Sequence, residues 1–193
     1  MSELLREKYN AAAEWYEQKY VHGGWENNHY MKDEYDAHKF WMKNGEVGKI
    51  VSLGVGSGQD IDILGKPDPK TFIGYDISEG MLENAKQKFP EYTFKQADCN
   101  MYINEKCDIL VSLFGTPNYI GLSKLLDHYI KMDAKHAFFV FYDENYKDGI
   151  SDKYHTYTMD ELIMLLQGFS PLIEKLNENY YIVKWWYVTN YCS

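Results

Sequence analysis

The stretch Ile50-Val-Ser-Leu-Gly-Val-Gly-Ser-Gly58 runs an apolar segment into three glycines at alternate positions, Gly54, Gly56 and Gly58. Glycines that follow a strand let the backbone approach a ligand closely, because no Cβ stands in the way. The spacing is G-x-G-x-G. It is not the G-x-G-x-x-G of dinucleotide enzymes, and no Gly-Lys-Ser/Thr follows to make a P-loop. A neutral turn of this kind suits a nucleotide-like ligand without phosphate, whereas a pyrophosphate favours glycines that open directly onto a helix N-terminus. Asp76 stands 22 positions beyond Gly54, in "GYDIS". A carboxylate there accepts hydrogen bonds from both hydroxyls of a ribose and repels a 2'-phosphate. Asp98, in "KQADCN", is placed to accept a hydrogen bond from an exocyclic amine of a base. Each residue has a plainer reading. The glycines could form only a turn, Asp76 could face a helix dipole, and Asp98 could be an ordinary turn aspartate. Together, at the ends of successive strands, they read as a binding site.

The elements that must position them follow from periodicity. Leu4, Leu5, Tyr9, Ala12, Tyr16 and Tyr20 recur at helical spacing, so a helix is expected from Ser2 to Tyr20, interrupted at "HGG". A second helix is expected over about residues 29–43. From Lys49 onward short apolar runs alternate with helical patterns: "KIVSL", "TFIGYD", "YTFKQAD", "KCDILVSLF" and "HAFFVFYD" read as strands. Helices are expected from Ser57, from Ser78 as N-cap, over "LSKLLDHYIKM" and after Thr158 as N-cap. Gly115 and Pro117 place a tight turn after the fourth strand, and two last strands near residues 172–176 and 181–188 read as a hairpin at the sheet edge. Alternating strands and helices predict a parallel, doubly wound α/β sheet in one domain, residues 49–193, preceded by an N-terminal helical segment, residues 1–48.

Composition narrows the partners. The 193 residues carry a formal net charge of -9, and the lysines are interleaved with acids, so no basic face for nucleic acid is expected. Three scattered cysteines, Cys99, Cys107 and Cys192, give neither a disulfide framework nor a metal-ligand pair. No apolar h-region opens the chain and no run is long enough to span a bilayer, so no membrane association and a reduced, cytoplasmic setting are expected. Aromatic residues make up 17%, with 18 tyrosines, which makes aromatic-lined pockets plausible.

The glycine loop "IVSLGVGSG", the segment "FIGYDISEGMLENAKQKF", "FKQADCN" and "KCDILVSLFGTPNYI" together resemble the class I S-adenosylmethionine-dependent methyltransferases. The late "YHTYTMDELIMLLQGF" resembles that family's penultimate helix. The resemblance spans roughly residues 49–186. It implies a Rossmann-like, seven-stranded, mostly parallel sheet with an antiparallel last strand, and S-adenosyl-L-methionine as cofactor. It also implies Gly54, Gly56 and Gly58 around the methionine part, Asp76 on the ribose, Ile77, Asp98 and Cys99 near the adenine, and Leu113 against the cofactor at the end of the fourth strand. One position departs from the pattern. The family usually has an acid two residues before the first glycine; here it is Ser52, and Asp60 just after the loop can compensate.

Methyl transfer from a sulfonium is a direct displacement that mainly needs positioning, so no fixed catalytic residue follows from the motifs. Candidates near the acceptor are Tyr119, Tyr142 and His155, with Asn118 and Asp143 beside them. A mobile aromatic lid is expected from Trp15, Tyr16, Tyr20, His22, Trp25, His29 and Tyr30, with Gly23-Gly24 as hinge. "GTPNY" in place of Asn/Asp-Pro-Pro-Tyr does not support nucleobase-amine chemistry. A small-molecule acceptor and no metal are expected. The alternative is a protein of this fold that binds the cofactor without transferring methyl.

Overall fold

The computed structural model describes residues 2–16, 29–42, 48–146 and 155–186. The elements are α1 (Ser2–Tyr16), α2 (His29–Met42), β1 (Ile50–Leu53), α3 (Gln59–Ile63), β2 (Phe72–Asp76), α4 (Glu79–Lys88), β3 (Thr93–Gln96), β4 (Ile109–Ser112), α5 (Gly115–Ile120), α6 (Leu122–Lys131), β5 (His136–Tyr142), α7 (Met159–Leu166), β6 (Leu172–Lys175) and β7 (Tyr180–Trp186).

The seven strands form one sheet in the order β3-β2-β1-β4-β5-β7-β6. Six run parallel, and β7 alone is antiparallel to both neighbours. The expected Rossmann-like doubly wound sheet is therefore present, and strand order reverses between β1 and β4. The short connection between β6 and β7 permits only a hairpin. This inserts β7 beside β5 and leaves β6 on the edge.

Side chains alternate between two buried faces, as strands covered on both sides require. Ile50, Val111, Phe138 and Val140 join Trp41 of α2 and Leu82 of α4 on one face. Val51, Leu53, Leu110 and Phe139 join Leu125 of α6 and Leu162 of α7 on the other. Caps set where the helices start: Ser78 accepts from Met81 N, and Thr158 and Glu161 form a reciprocal capping box.

Two local differences from the sequence reading stand out. The segment after β4 is the helix α5 rather than a bare turn; Pro117 sits in its first turn, where a missing N–H costs no helical bond. The first helix is described as far as Tyr16, and Tyr20, His22, Gly23, Gly24 and Trp25 lie outside the described residues, as do the side chains of His29 and Tyr30.

The two N-terminal helices attach differently. α2 is bound into the sheet: Ala37 and Trp41 are buried, the Trp41 ring lies 5.5 Å from Phe138, and Asn177 in the β6–β7 turn donates to Asp33 Oδ1 at 2.6 Å. α1 docks instead on α4, through a small cluster of Ala12, Ala13 and Met81. Asn10 Oδ1 there accepts from Ser78 Oγ at 2.7 Å and from Gly80 N at 3.2 Å, and Asn84 Nδ2 donates to the Ala13 carbonyl at 2.8 Å.

Candidate active site

A cavity runs along the carboxyl edge of the sheet across the β1/β4 reversal, where open α/β sheets hold ligands. With its mouth, open solvent included, it takes in about 960 Å³. Gly54, Gly56, Asp76 and Leu113 line it, and so does Tyr142.

The loop after β1 is shaped by positive-φ glycines. Gly54 has φ 82°, and a Cβ there would stand 1.8 Å from Thr116 Oγ1, so only glycine lets β1 and α5 approach so closely. Asp76 ends β2 with both oxygens engaged by backbone: Oδ2 accepts from Gly56 N at 2.9 Å and Oδ1 from Ser78 N at 2.8 Å. Burial raises its pKa, against the lowering effect of those amides. Each oxygen keeps a second lone pair for a ligand hydroxyl.

Ser52, at the position where an acid is usual, donates its hydroxyl to Asp60 Oδ2. Asp60 is held by the first turn of α3 and its residue lines the cavity. Burial pushes its carboxyl up to about 7; the Ser52 hydrogen bond opposes this and the Asp76 charge adds to it. The departure at position 52 is thus matched by a carboxyl eight residues later, bonded to the serine itself.

The end of β4 carries strain. Phe114 adopts φ 55°, ψ −111°, a conformation that costs a non-glycine residue on the order of 1–3 kcal/mol. Its ring meets that of Tyr180 edge-on, with centroids 5.2 Å apart.

Tyr16 of α1 also lines this cavity, and the following residues singled out from the sequence lie around it rather than on its wall. Gly58 (φ 94°) caps α3, and a Cβ there would stand 2.8 Å from Phe89. Ile77 and Asp98 line an adjacent shallow depression with Glu3 and Arg6 of α1. Cys99 is buried; burial raises its thiol pKa, the neighbouring Asp76 and Asp98 charges add to this, and a backbone hydrogen bond from Gly54 opposes it. Tyr119 bonds Tyr9 through their hydroxyls at 2.9 Å. His155 lies in a separate groove beside Gly121 and Leu165, its amide donating to the Asn118 carbonyl at 2.8 Å. Asn118 and Asp143 are buried pins: Asn118 Oδ1 accepts from Tyr142 N at 3.2 Å, and Asp143 accepts from Lys175 at 2.9 Å.

Sequence reasoning missed Asp33, Glu34, Tyr146 and Tyr180, all on the cavity wall. A signal existed for two of them. Asp33 falls in register with Ala37 and Trp41, so an acid interrupts a buried helical stripe. Tyr180 opens an antiparallel strand, which brings that strand's start to the carboxyl edge. Among the described residues no cluster of His, Cys, Asp and Glu could hold a metal, and no helix is long and apolar enough to cross a membrane.

Residues 51–128 match the family model described as "Methyltransferase domain". Over this stretch, from β1 into α6 and across the glycine loop and Asp76, the chain is similar to methyltransferase domains. Solved structures share the fold of the chain. One is a magnesium protoporphyrin IX methyltransferase (ChlM) from Synechocystis PCC 6803 with bound SAH, 16% identical, TM-score 0.70, covering 95% of this chain and 98% of that one. A DhpI–SAH complex is 16% identical with TM-score 0.73, covering 95% of each chain. A methyltransferase from Mesorhizobium loti is 17% identical with TM-score 0.62, covering 79% of this chain and 96% of that one. At such identities the likeness is one of fold. No curated protein sequence matches the chain.

Proposed function

We propose that the chain is an S-adenosylmethionine-dependent methyltransferase that acts on a small-molecule acceptor by direct displacement. The observation that carries this reading is the continuity of the cavity. One enclosure extends from Asp76 at the end of β2, past Gly54 and Leu113, to Tyr142 and Tyr180 at the ends of β5 and β7. Residues of α1 and α2 line it opposite the strand ends, and a cleft lined from both sides suits a small acceptor.

The residues present fit the cofactor. In this reading Asp76 takes the ribose hydroxyls, and the depression by Ile77 and Asp98 takes the adenine. Gly54 and Gly56 let the methionine part lie against backbone, and Asp60, held by Ser52, takes the ammonium group. When bound, S-adenosylmethionine supplies a methyl group on a positively charged sulfur, already activated for attack. The chain's own contribution is to hold the acceptor in line and to exclude water, and such positioning supplies about 7–11 kcal/mol of a barrier. Leu113, Phe114 and Tyr142 would border the reacting atoms. The non-transferring alternative drew its weight from the missing acid at position 52, and the Ser52–Asp60 pair removes that ground. The test is calorimetric titration with S-adenosylmethionine, followed by measurement of S-adenosylhomocysteine release over a panel of small acceptors. Binding without release for any acceptor favours the alternative; no binding overturns the reading.

A further inference from the structure

Asp98 is held from both sides along the chain. Before it, Ala97 N donates to the Asp76 carbonyl of β2 at 2.9 Å. After it, the Cys99 carbonyl lies 2.8 Å from Nε2 of His128 in α6. Between these anchors the turn closes on itself: Asp98 Oδ1 accepts from Asn100 N at 2.9 Å, and the Asp98 carbonyl accepts from Met101 N at 2.9 Å. Asp98 lines the depression beside the cavity together with Ile77 and Ala97.

Packing alone does not call for a histidine at position 128. α6 buries one stripe, Leu122, Leu125 and His128, and a third leucine would complete it. The imidazole is 2% exposed. A carbonyl only accepts, so Nε2 carries the ring proton and Nδ1 a lone pair. That Nδ1 is buried and meets no donor among the described residues, which is a cost to the fold. Burial lowers the pKa of the ring, against the Cys99 bond, and the Lys124 and Lys131 charges add to the lowering. The ring is therefore neutral, with its single N–H aimed at Cys99. That donor is what imidazole supplies here and leucine does not. A hydrogen bond weakens steeply with misalignment, so a small slide of this turn would cost Asp98 its grip on a base edge before it cost the fold.

We propose that His128 is a positioning residue for base recognition: by holding the Cys99 carbonyl it sets how the Asp98 carboxylate meets the exocyclic amine of the cofactor's adenine. This rests on the methyltransferase reading, which places the adenine in the depression by Ile77 and Asp98.

The test is calorimetry on the full chain with two probes. One is S-adenosylhomocysteine, the other its purine-riboside analogue, which carries hydrogen in place of the exocyclic amine. The parent should bind S-adenosylhomocysteine at least about tenfold tighter than the analogue, for a hydrogen bond to a charged group. His128→Leu should reduce that preference to about threefold or less, with affinity for the analogue within about twofold of the parent. His128→Gln, whose amide nitrogen reaches the place of Nε2, should keep the preference within about twofold of the parent. Asp98→Ala should abolish the preference, and adding His128→Leu to it should change the ratio no further. A parent ratio retained in His128→Leu overturns the proposal, as does equal weakening for both probes, the mark of a merely structural role. If the leucine variant does not fold, the parent decides by its His128 Nε2–H resonance, which should move with S-adenosylhomocysteine and stay in place with the analogue; an equal response to both overturns the proposal. Equal affinity of the parent for both probes overturns the proposal and leaves the methyltransferase reading standing, whereas binding of neither overturns both.

Discussion

Ser52 donates its hydroxyl to the carboxyl of Asp60 across the wall of the cavity. The bond joins the end of β1 to the first turn of α3, and it sits where a charged residue is expected and a neutral one is found. Burial pushes Asp60 up to about 7 from an ordinary value of 3.8. The folded chain therefore keeps a proton there that the unfolded chain has already lost between those two values. Stability from this group is complete below about pH 4, falls as pH rises toward 7, and is level above that. Asp60→Asn removes the titration. Melting temperatures of the ligand-free protein should fall from pH 4 to pH 7.5 relative to those of the variant. A parallel pH dependence of the two proteins would show that Asp60 is ionised in the fold at an ordinary pKa.

Cofactor binding should reverse the preference. An ammonium group beside Asp60 favours its carboxylate, so binding at pH 6 expels the proton that the free enzyme holds. Calorimetry in buffers of different ionisation enthalpy should find up to one proton released per S-adenosylmethionine bound at pH 6, and close to none at pH 8.5. Affinity should weaken by up to about tenfold per pH unit below 7. 5'-Methylthioadenosine, which lacks the amino acid part, should show neither effect. Equal proton release by both ligands would place the titrating group elsewhere, with Asp76 next to be examined.

Asp76 has two tasks that can be separated. Its oxygens already accept from Gly56 and Ser78 amides, and in the proposed site they also take the ribose. Asp76→Ala should weaken S-adenosylmethionine binding by about 2 kcal/mol or more, roughly thirtyfold, through the loss of charge-assisted hydrogen bonds. Asp76→Asn keeps an acceptor for one amide and should fall between the parent and the alanine variant. Equal calorimetric affinity of parent and Asp76→Ala would remove Asp76 from the site.

The sheet was legible because its cause is local. Buried strands such as Ile109–Ser112 show as apolar runs, and caps such as Ser78 and Thr158 announce the helices after them. The β1–β2 end of the cavity was legible for a related reason: Gly54, Gly56 and Asp76 occur at strand ends that the sequence itself reveals, and all three line it. The β5–β7 end was not. Asp33, Tyr146 and Tyr180 come from three distant segments, and only the pairing of β5 with β7 brings Tyr180 opposite Tyr142. His155 is the converse case. It is close in sequence to α7 and to the β5 end, yet Asn118 holds its backbone on the far side of α5. A helix over residues 115–120 was hidden by Gly115 and Pro117, whose turn propensity is compatible with a first helical turn.

The N-terminal helix offers the last test. The expected lid covered residues 1–48, but α2 buries Ala37 and Trp41 in the core of the sheet, so its removal would open the fold. α1 is a separate matter. Its buried contribution is Ala12 and Ala13 against Met81, together with the Asn10 hydrogen bonds to the start of α4. It brings Tyr9 and Tyr16 to the cavity wall. Deleting residues 1–28 keeps α2 and should leave a chain that unfolds cooperatively, with the melting temperature lowered by several degrees for the loss of about 1–2 kcal/mol of contacts. Cofactor affinity should drop modestly, because the amide of Gly80 and the hydroxyl of Ser78 lose Asn10 close to Asp76. Methyl transfer should drop far more, at least about a hundredfold, because water enters the chamber that α1 walls. Hydrogen exchange on the intact protein should show stronger protection of α1 with S-adenosylhomocysteine bound than without it. A truncated chain that fails to fold would make α1 part of the core, and one that turns over normally would show that α1 is not needed to close the chamber.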